Sequence, residues 1–162
     1  MKSIEERMEI AKKILFGKAI LLITKPIKSL ENRIVEGCCT GYKVGIDNLS
    51  YRGVWVSTIE DIQLFIDGNE VGKEEIYLSL DGKLYPVHTL QGHTEIFWGI
   101  DDEAYLWINQ PGGLAKGKHS VEVVITKRQD FGHSYGEGTD GYDTATEFTC
   151  PEIIRDSEVF SV

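Results

Sequence analysis

Only three cysteines occur among the 162 residues, and two of them, Cys38 and Cys39, are adjacent. An odd thiol and a vicinal pair do not make a disulfide framework, because neighbouring residues rarely bridge. The expected setting is a reduced cytoplasm. No second Cys/His cluster lies near the pair in sequence, so strand packing explains it better than redox or soft-metal chemistry. Proline is scarce too, 4 residues against 17 glycines, a balance that favours tight turns and β structure. Positive charge is in deficit, with 17 basic and 26 acidic residues and a net charge of -9. That balance excludes nucleic acid as a natural partner, since neutralised phosphates supply most of that affinity. Long apolar runs are missing as well. Lys18 interrupts the one early candidate and leaves Ala19 to Ile23, too short for a signal-peptide core or a membrane span. The sequon Asn48-Leu49-Ser50 then has no glycosylating compartment to meet.

What is present fits one globular unit: 41% hydrophobic and 27% charged residues, in a chain long enough to bury a core without metal or disulfide support. Ser3 and Glu6 form a capping-box pattern, and Ile4, Met8, Ala11 and Leu15 recur at helical spacing, predicting an amphipathic helix over residues 4–16 that Gly17 ends. Residues 19–24 and 33–36 read as short strands broken by Pro26. From Cys38 the strand signal strengthens: 38–46, 52–58, 60–66, 76–80 and 84–87, with Asp67-Gly68 and Asp81-Gly82 as hairpin turns. Residues 88–99 read as a short helical or irregular connection, 143–150 as a final strand, and the tail from Glu152 as irregular.

The segment 103–136 is the most informative. Two alternating strands flank Pro111-Gly112-Gly113, and the second runs into Lys127, Arg128 and a glycine-spaced loop carrying Phe131, His133 and Tyr135. Ala104, Leu106, Ile108, Val121, Val123 and Ile125 make inward rows. They leave Tyr105, Trp107, Glu122, Val124 and Thr126 on the opposite rows, where Tyr105 and Trp107, with Trp55, are either a second core face or a partner surface. The expected fold is mainly β, an antiparallel β-sandwich of jelly-roll type with an N-terminal helix. Residues 1–35 form a helical extension and 36–162 the sandwich domain.

No nucleophile motif, phosphate-binding loop or zinc spacing is found. His88 and His93 would need Asp101 or Glu103 brought in to hold a metal; otherwise they are solvated loop residues. Residues 136–143 have the composition of a calcium loop without its ligand spacing. His133 is the better candidate, framed by Phe131 and Tyr135 with Arg128 as a fixed cation, unless the loop is simply a packed turn.

Tyr51-Arg52-Gly53-Val54-Trp55-Val56-Ser57, Ile66-Asp67-Gly68, Trp107-Ile108-Asn109-Gln110-Pro111-Gly112-Gly113-Leu114, Gly117-Lys118-His119 and Lys127-Arg128 occur in one order. Together they resemble the small β subunit of bacterial C-glycoside deglycosidases over roughly residues 38–150. The resemblance implies a β-sandwich that pairs with a larger TIM-barrel α subunit in a hetero-oligomer. It implies no cofactor and no catalytic residue in this chain, and a divalent metal, manganese, with the catalytic base in the partner. It also implies a 3-oxo-C-glycoside substrate of flavonoid type. A C3 ketone acidifies the C2 proton, and β-elimination from the enolate then breaks the carbon–carbon bond to the aglycone. On this reading Arg128, Phe131, His133 and Tyr135 approach the partner's active-site mouth, and Tyr105, Trp107 and Trp55 are candidates for the interface.

Two other classes compete. A free-standing carbohydrate-binding sandwich would use Trp55, Trp98 and Trp107 as stacking platforms, and a cupin-like metalloenzyme would use His88, His93 and a carboxylate.

Overall fold

The computed structural model describes residues 25–50, 53–128 and 151–162, together with Ser3, Glu5 and Glu6. Within them run β1 (Ile27–Val35), β2 (Cys38–Ile46), β3 (Val54–Trp55), β4 (Ile59–Ile66), β5 (Asn69–Glu70), β6 (Ile76–Leu80), β7 (Lys83–Pro86), β8 (Phe97–Trp98), β9 (Ala104–Asn109), β10 (Lys118–Arg128) and β11 (Pro151–Ser161). Short 3-10 turns occupy Val56–Thr58, Lys73–Glu75 and Val87–Gly92. The protein is mainly β, and every strand pairing among these residues is antiparallel.

Hairpins set the registers. Asp67-Gly68 and Asp81-Gly82 turn as their sequence demands, with φ of 51° and 80° in the first and 47° and 83° in the second. Positive φ at both central positions matches the twist of the flanking strands. Glu36-Gly37 makes a third such turn, at 49° and 80°.

Five strands in the order β1-β2-β9-β6-β7 form one sheet, four in the order β11-β10-β4-β5 form another, and β3 pairs with β8. Side chains alternate across each strand, so one row from each sheet meets in a single core. Val44, Ile76, Leu78, Leu106 and Ile108 come from the first sheet, and Ile62, Leu64, Val121, Val123, Ile125 and Ile154 from the second. All eleven are fully buried. Burial of this kind contributes about 1.5–3 kcal/mol for each large aliphatic side chain.

The elements differ from the sequence reading in three places. β1 begins at Ile27 and not at residue 33, so the outer strand of the five-stranded sheet lies within the stretch read as a helical extension. Irregularities between Ile27 and Ser29 and between Arg33 and Ile34 break its alternation, which is why no period-2 signal shows. Only Val54–Trp55 of residues 52–58 is strand, and Val56–Thr58 winds into a 3-10 turn. The tail is not irregular, because Pro151–Ser161 pairs with β10 along its whole length. Its inward row carries buried Asp156 after Ile154, a charge that hides a strand from any hydrophobic count. Asp156 belongs there because its Oδ2 accepts the Ile27 N–H at 3.0 Å, tying an edge of one sheet to an edge of the other. The helix expected over 4–16 and the strands expected over 19–24 and 143–150 lie outside the described residues, except that Ser3 and Glu6 do exchange their capping-box bonds, at 2.8 and 3.1 Å.

No helix among the described residues is long and apolar enough to cross a membrane.

Candidate functional site

β10 ends in two cations, and both are buried: Lys127 and Arg128 are each 3% exposed. A buried charge is costly unless paired, and each has a carboxylate. Lys127 lies opposite Glu152 in the β10–β11 ladder, and its ammonium forms an ion pair with the Glu152 carboxylate. Arg128 donates from Nη2 to the Ser57 carbonyl at 2.6 Å, while its Nε lies 3.7 Å from Glu60 Oε1. The structure therefore places Arg128 inside, as an anchor between β10 and the 3-10 turn at Val56–Thr58. Phe131, His133 and Tyr135, which the sequence groups with it, lie outside the described residues, as does the acidic glycine segment 136–143.

That 3-10 turn leads directly to an aromatic pair. Thr58 Oγ1 donates to the Trp55 carbonyl at 2.6 Å, and Val56 N–H donates to Ile96 O at 3.0 Å. Trp55 and Phe97 are partners in the β3–β8 ladder, with ring centroids 5.0 Å apart and planes at 62°, an edge-to-face contact. Gly53 makes the arrangement possible. At φ +84° it has no side chain, and a Cβ there would sit 2.4 Å from Phe97 Cζ. Phe97 nevertheless remains 43% exposed, and Ile100, three residues on, is 60% exposed. Trp98, between them, is fully buried, so it is core and not the sugar platform that a carbohydrate-binding reading requires.

On the outer face of the five-stranded sheet the other aromatic residues are capped by cations. The Arg33 guanidinium lies 4.4 Å from the Trp107 ring centroid, and Lys43 Nζ lies 4.3 Å from that of Tyr105. Arg33 is fixed further by Nη2 bonds to Ile108 O at 3.0 Å and Asn109 Oδ1 at 2.8 Å. Partial burial draws its pKa below the ordinary arginine value, and the guanidinium stays charged. Tyr105 donates its hydroxyl to Glu103, which raises the phenol pKa by favouring the protonated form. Tyr105 and Trp107 are thus half-buried under their own neighbours, while Trp55 and Phe97 carry no such cover among the contacts described.

The remaining chemistry is dispersed. His88 is exposed, whereas His93 packs its ring against Tyr85 at 5.0 Å with Nε2 3.2 Å from Thr89 Oγ1. Among the described residues no group of three or more His, Cys, Asp or Glu side chains is placed to hold a metal ion. Cys38 is an exposed free thiol, and Cys39 a half-buried one with Sγ 3.5 Å from the Gly41 carbonyl.

Sequence reasoning missed Glu60, Glu152, Ser57, Arg33 and Lys43 as members of these clusters. Each acts across a ladder or a turn, and the one available signal was the placement of charges within otherwise apolar strands. The Pro-Gly-Gly turn has a similar unseen partner. Asn32 of β1 donates to Leu114 O at 2.9 Å and accepts from Leu114 N–H at 2.8 Å, holding the turn onto the sheet.

Comparison with known proteins agrees with the sequence pattern. Residues 23–131 match the sequence model of the family described as C-glycoside deglycosidase beta subunit. A protein of that name from Eubacterium cellulosolvens is 33% identical over 87 residues, covering 54% of this chain and 59% of the relative. A second, from Arthrobacter globiformis, is 26% identical over 89 residues, covering 54% of this chain and 67% of the relative. The alignments thus span between about half and two thirds of each protein's length.

Proposed function

The chain belongs to the C-glycoside deglycosidase beta subunit family, and from that membership we propose that it is the small, non-metal-bearing subunit of an enzyme that cleaves the carbon–carbon bond of 3-oxo-C-glycosides. The observation that carries the reading is the family match over residues 23–131, which runs from before β1 through the buried cations at the end of β10. The two sheets are read as a jelly-roll-like sandwich, and the partner as a TIM-barrel α subunit in a hetero-oligomer of the cytoplasm.

In the proposed reaction a base of the larger subunit removes the C2 proton of the 3-oxo sugar. The electron pair of the resulting enolate expels the aglycone from C1, and the aglycone carbon takes up a proton. A divalent metal of the larger subunit, manganese on this reading, supplies Lewis acidity toward the enolate. This chain contributes walls and water exclusion. The buried Arg128–Ser57 and Lys127–Glu152 contacts hold the end of β10 rigid, and Phe131, His133 and Tyr135, which follow it in sequence, close over a flat flavonoid aglycone.

A free-standing carbohydrate-binding module has less support, since Trp98 is buried and Trp107 is capped by Arg33.

The test is reconstitution. Coexpressed with its α subunit, the chain is expected to form a stable complex that releases aglycone from a 3-oxo-C-glycoside, with neither subunit active alone. His133→Ala or Tyr135→Phe is expected to lower turnover by tenfold or more. An α subunit fully active without this chain would overturn the subunit reading, and unchanged turnover in both variants would remove the loop from the site.

A further inference from the structure

Two aromatic surfaces are available to a partner, and they differ in one respect. On the five-stranded sheet, Trp107 and Tyr105 already carry Arg33 and Lys43 over their rings, so a partner docking there must displace two cation–π contacts. At the β3–β8 ladder no cation lies over the aromatic rings among the described residues. Phe97 is 43% and Ile100 60% exposed, while Trp55 supports Phe97 edge-on at 5.0 Å. This surface is also preorganised. Gly53 packs directly beneath the Phe97 ring, Asn48 Nδ2 bonds the carbonyls of Trp98 and Gly99 at 2.8 and 3.1 Å, and Asp102 accepts the Gly99 N–H at 2.6 Å. A rigid aromatic anchor loses little freedom on binding, which is the usual character of an interface hot spot.

Charge specifies the occupant. The stretch from His93 to Glu103 contains Glu95, Asp101, Asp102 and Glu103 and no lysine or arginine. Glu95 and Asp101 are exposed and flank Phe97 and Ile100 in sequence, so the segment that carries these apolar side chains is acidic, on a chain of net charge -9. Its complement is an apolar pocket rimmed by cations, because unlike potentials steer docking and like ones oppose it.

We propose that the Trp55–Phe97–Ile100 surface is the docking face for the larger subunit, which meets it with an apolar pocket rimmed by lysine and arginine. The inference rests on the subunit reading above and deepens it, since that reading names a partner but not the face that receives it. The surface adjoins the end of β10 through the Ser57–Arg128 bond, so docking there brings the partner to the strand end from which residues 129–150 depart.

Binding of purified α subunit to this chain, measured against salt concentration, tests the assignment. Ile100→Lys is expected to weaken the complex at least tenfold. Glu95→Lys combined with Asp101→Lys is expected to weaken it and to flatten its salt dependence. Val159→Lys, on β11 and 64% exposed, is expected to stay within twofold of wild type. Ile100 is largely exposed, so its variant keeps the fold, which an unchanged melting temperature verifies. If wild-type chain binds but both rim and anchor variants bind as well as it does, the docking face is wrong and the subunit reading stands. If Trp107→Ala is the variant that releases the partner, the interface lies on the five-stranded sheet. If wild-type chain does not bind the α subunit at all, the subunit reading fails and takes this assignment with it.

Discussion

His119 and Asp67 form an ion pair across the β10–β4 sheet edge, with Nδ1 2.7 Å from Asp67 Oδ2. The other ring nitrogen, Nε2, lies 2.6 Å from the Ala115 carbonyl, so both nitrogens face acceptors. Only the doubly protonated imidazolium donates to both. The same carboxylate accepts the Ser120 N–H through Oδ1 at 2.9 Å, closing the Asp67-Gly68 turn onto β10.

The first prediction follows from the titration of this pair. The hydrogen bond to Asp67, then that to the Ala115 carbonyl, raise the His119 pKa above 6.5, and the His119 and Ser120 bonds lower the Asp67 pKa below 3.8. A raised histidine contributes stability that is complete below its unfolded pKa and is lost as pH rises through the folded one. A depressed carboxylate contributes stability that is present above its unfolded pKa and is lost as pH falls through the folded one. The pair is therefore at full strength between about pH 4 and 6.5. Melting temperature measured against pH should decline above neutrality more in wild type than in His119→Gln. Equal slopes would show that the pair does not couple to folding.

Breaking the Lys127–Glu152 pair from one side leaves a buried charge uncompensated. Glu152→Ala is expected to cost about 3 kcal/mol in urea denaturation, toward the lower end for buried pairs because Glu152 retains some solvent contact. Replacing both residues, as Lys127→Met with Glu152→Leu, should recover most of that loss. A double variant as unstable as the single one would mean the pair itself, rather than the orphaned charge, carries the effect.

Asn32 holds the Pro-Gly-Gly turn through two bonds to one residue, Leu114. Asn32→Ala should cost about 1–3 kcal/mol, the range for leaving part-buried backbone groups unpaired. Asn32→Asp keeps the acceptor and sets a carboxylate against the Leu114 carbonyl, so it should not rescue. Amide exchange at Leu114 reports the outcome directly, and protection retained in Asn32→Ala would dismiss the clamp.

Gly53→Ala places a methyl 2.4 Å from Phe97 Cζ and 2.8 Å from the Trp98 carbonyl, at a φ of +84°. Loss of about 2 kcal/mol or more is expected from strain and ring displacement together, with a shift in tryptophan fluorescence as the Trp55–Phe97 contact opens. A variant with wild-type stability and spectrum would show that the rings yield freely.

Arg33→Gln removes the cation from Trp107 and should cost about 0.5–1 kcal/mol. Tryptophan emission is expected to change with it, because Trp107 loses the charge at 4.4 Å. Retained emission would place Arg33 elsewhere in solution.

Much of the fold was legible where side-chain period and turn chemistry agree. Two Asp-Gly turns and the rows Leu106/Ile108, Val121/Val123/Ile125 and Ile62/Leu64 read correctly, because strand alternation and positive φ are local properties. β1 read as a strand only at its end, over residues 33–36, and β11 did not read as one. Asn32 in one and Asp156 in the other serve contacts made by a second strand or turn, and a periodicity test sees such residues only as interruptions.

The candidate site divides in the same way. Residue order alone was enough for the mainly β class, the family and the clustering of cations at the end of one strand. Tertiary structure decided that Arg128 is an internal anchor, that Trp98 is core, and that Trp107 and Tyr105 are capped while Phe97 and Ile100 are left open. Exposure is a property of what packs across a sheet, and Arg33 reaches Trp107 through a ladder that joins residues far apart in the chain.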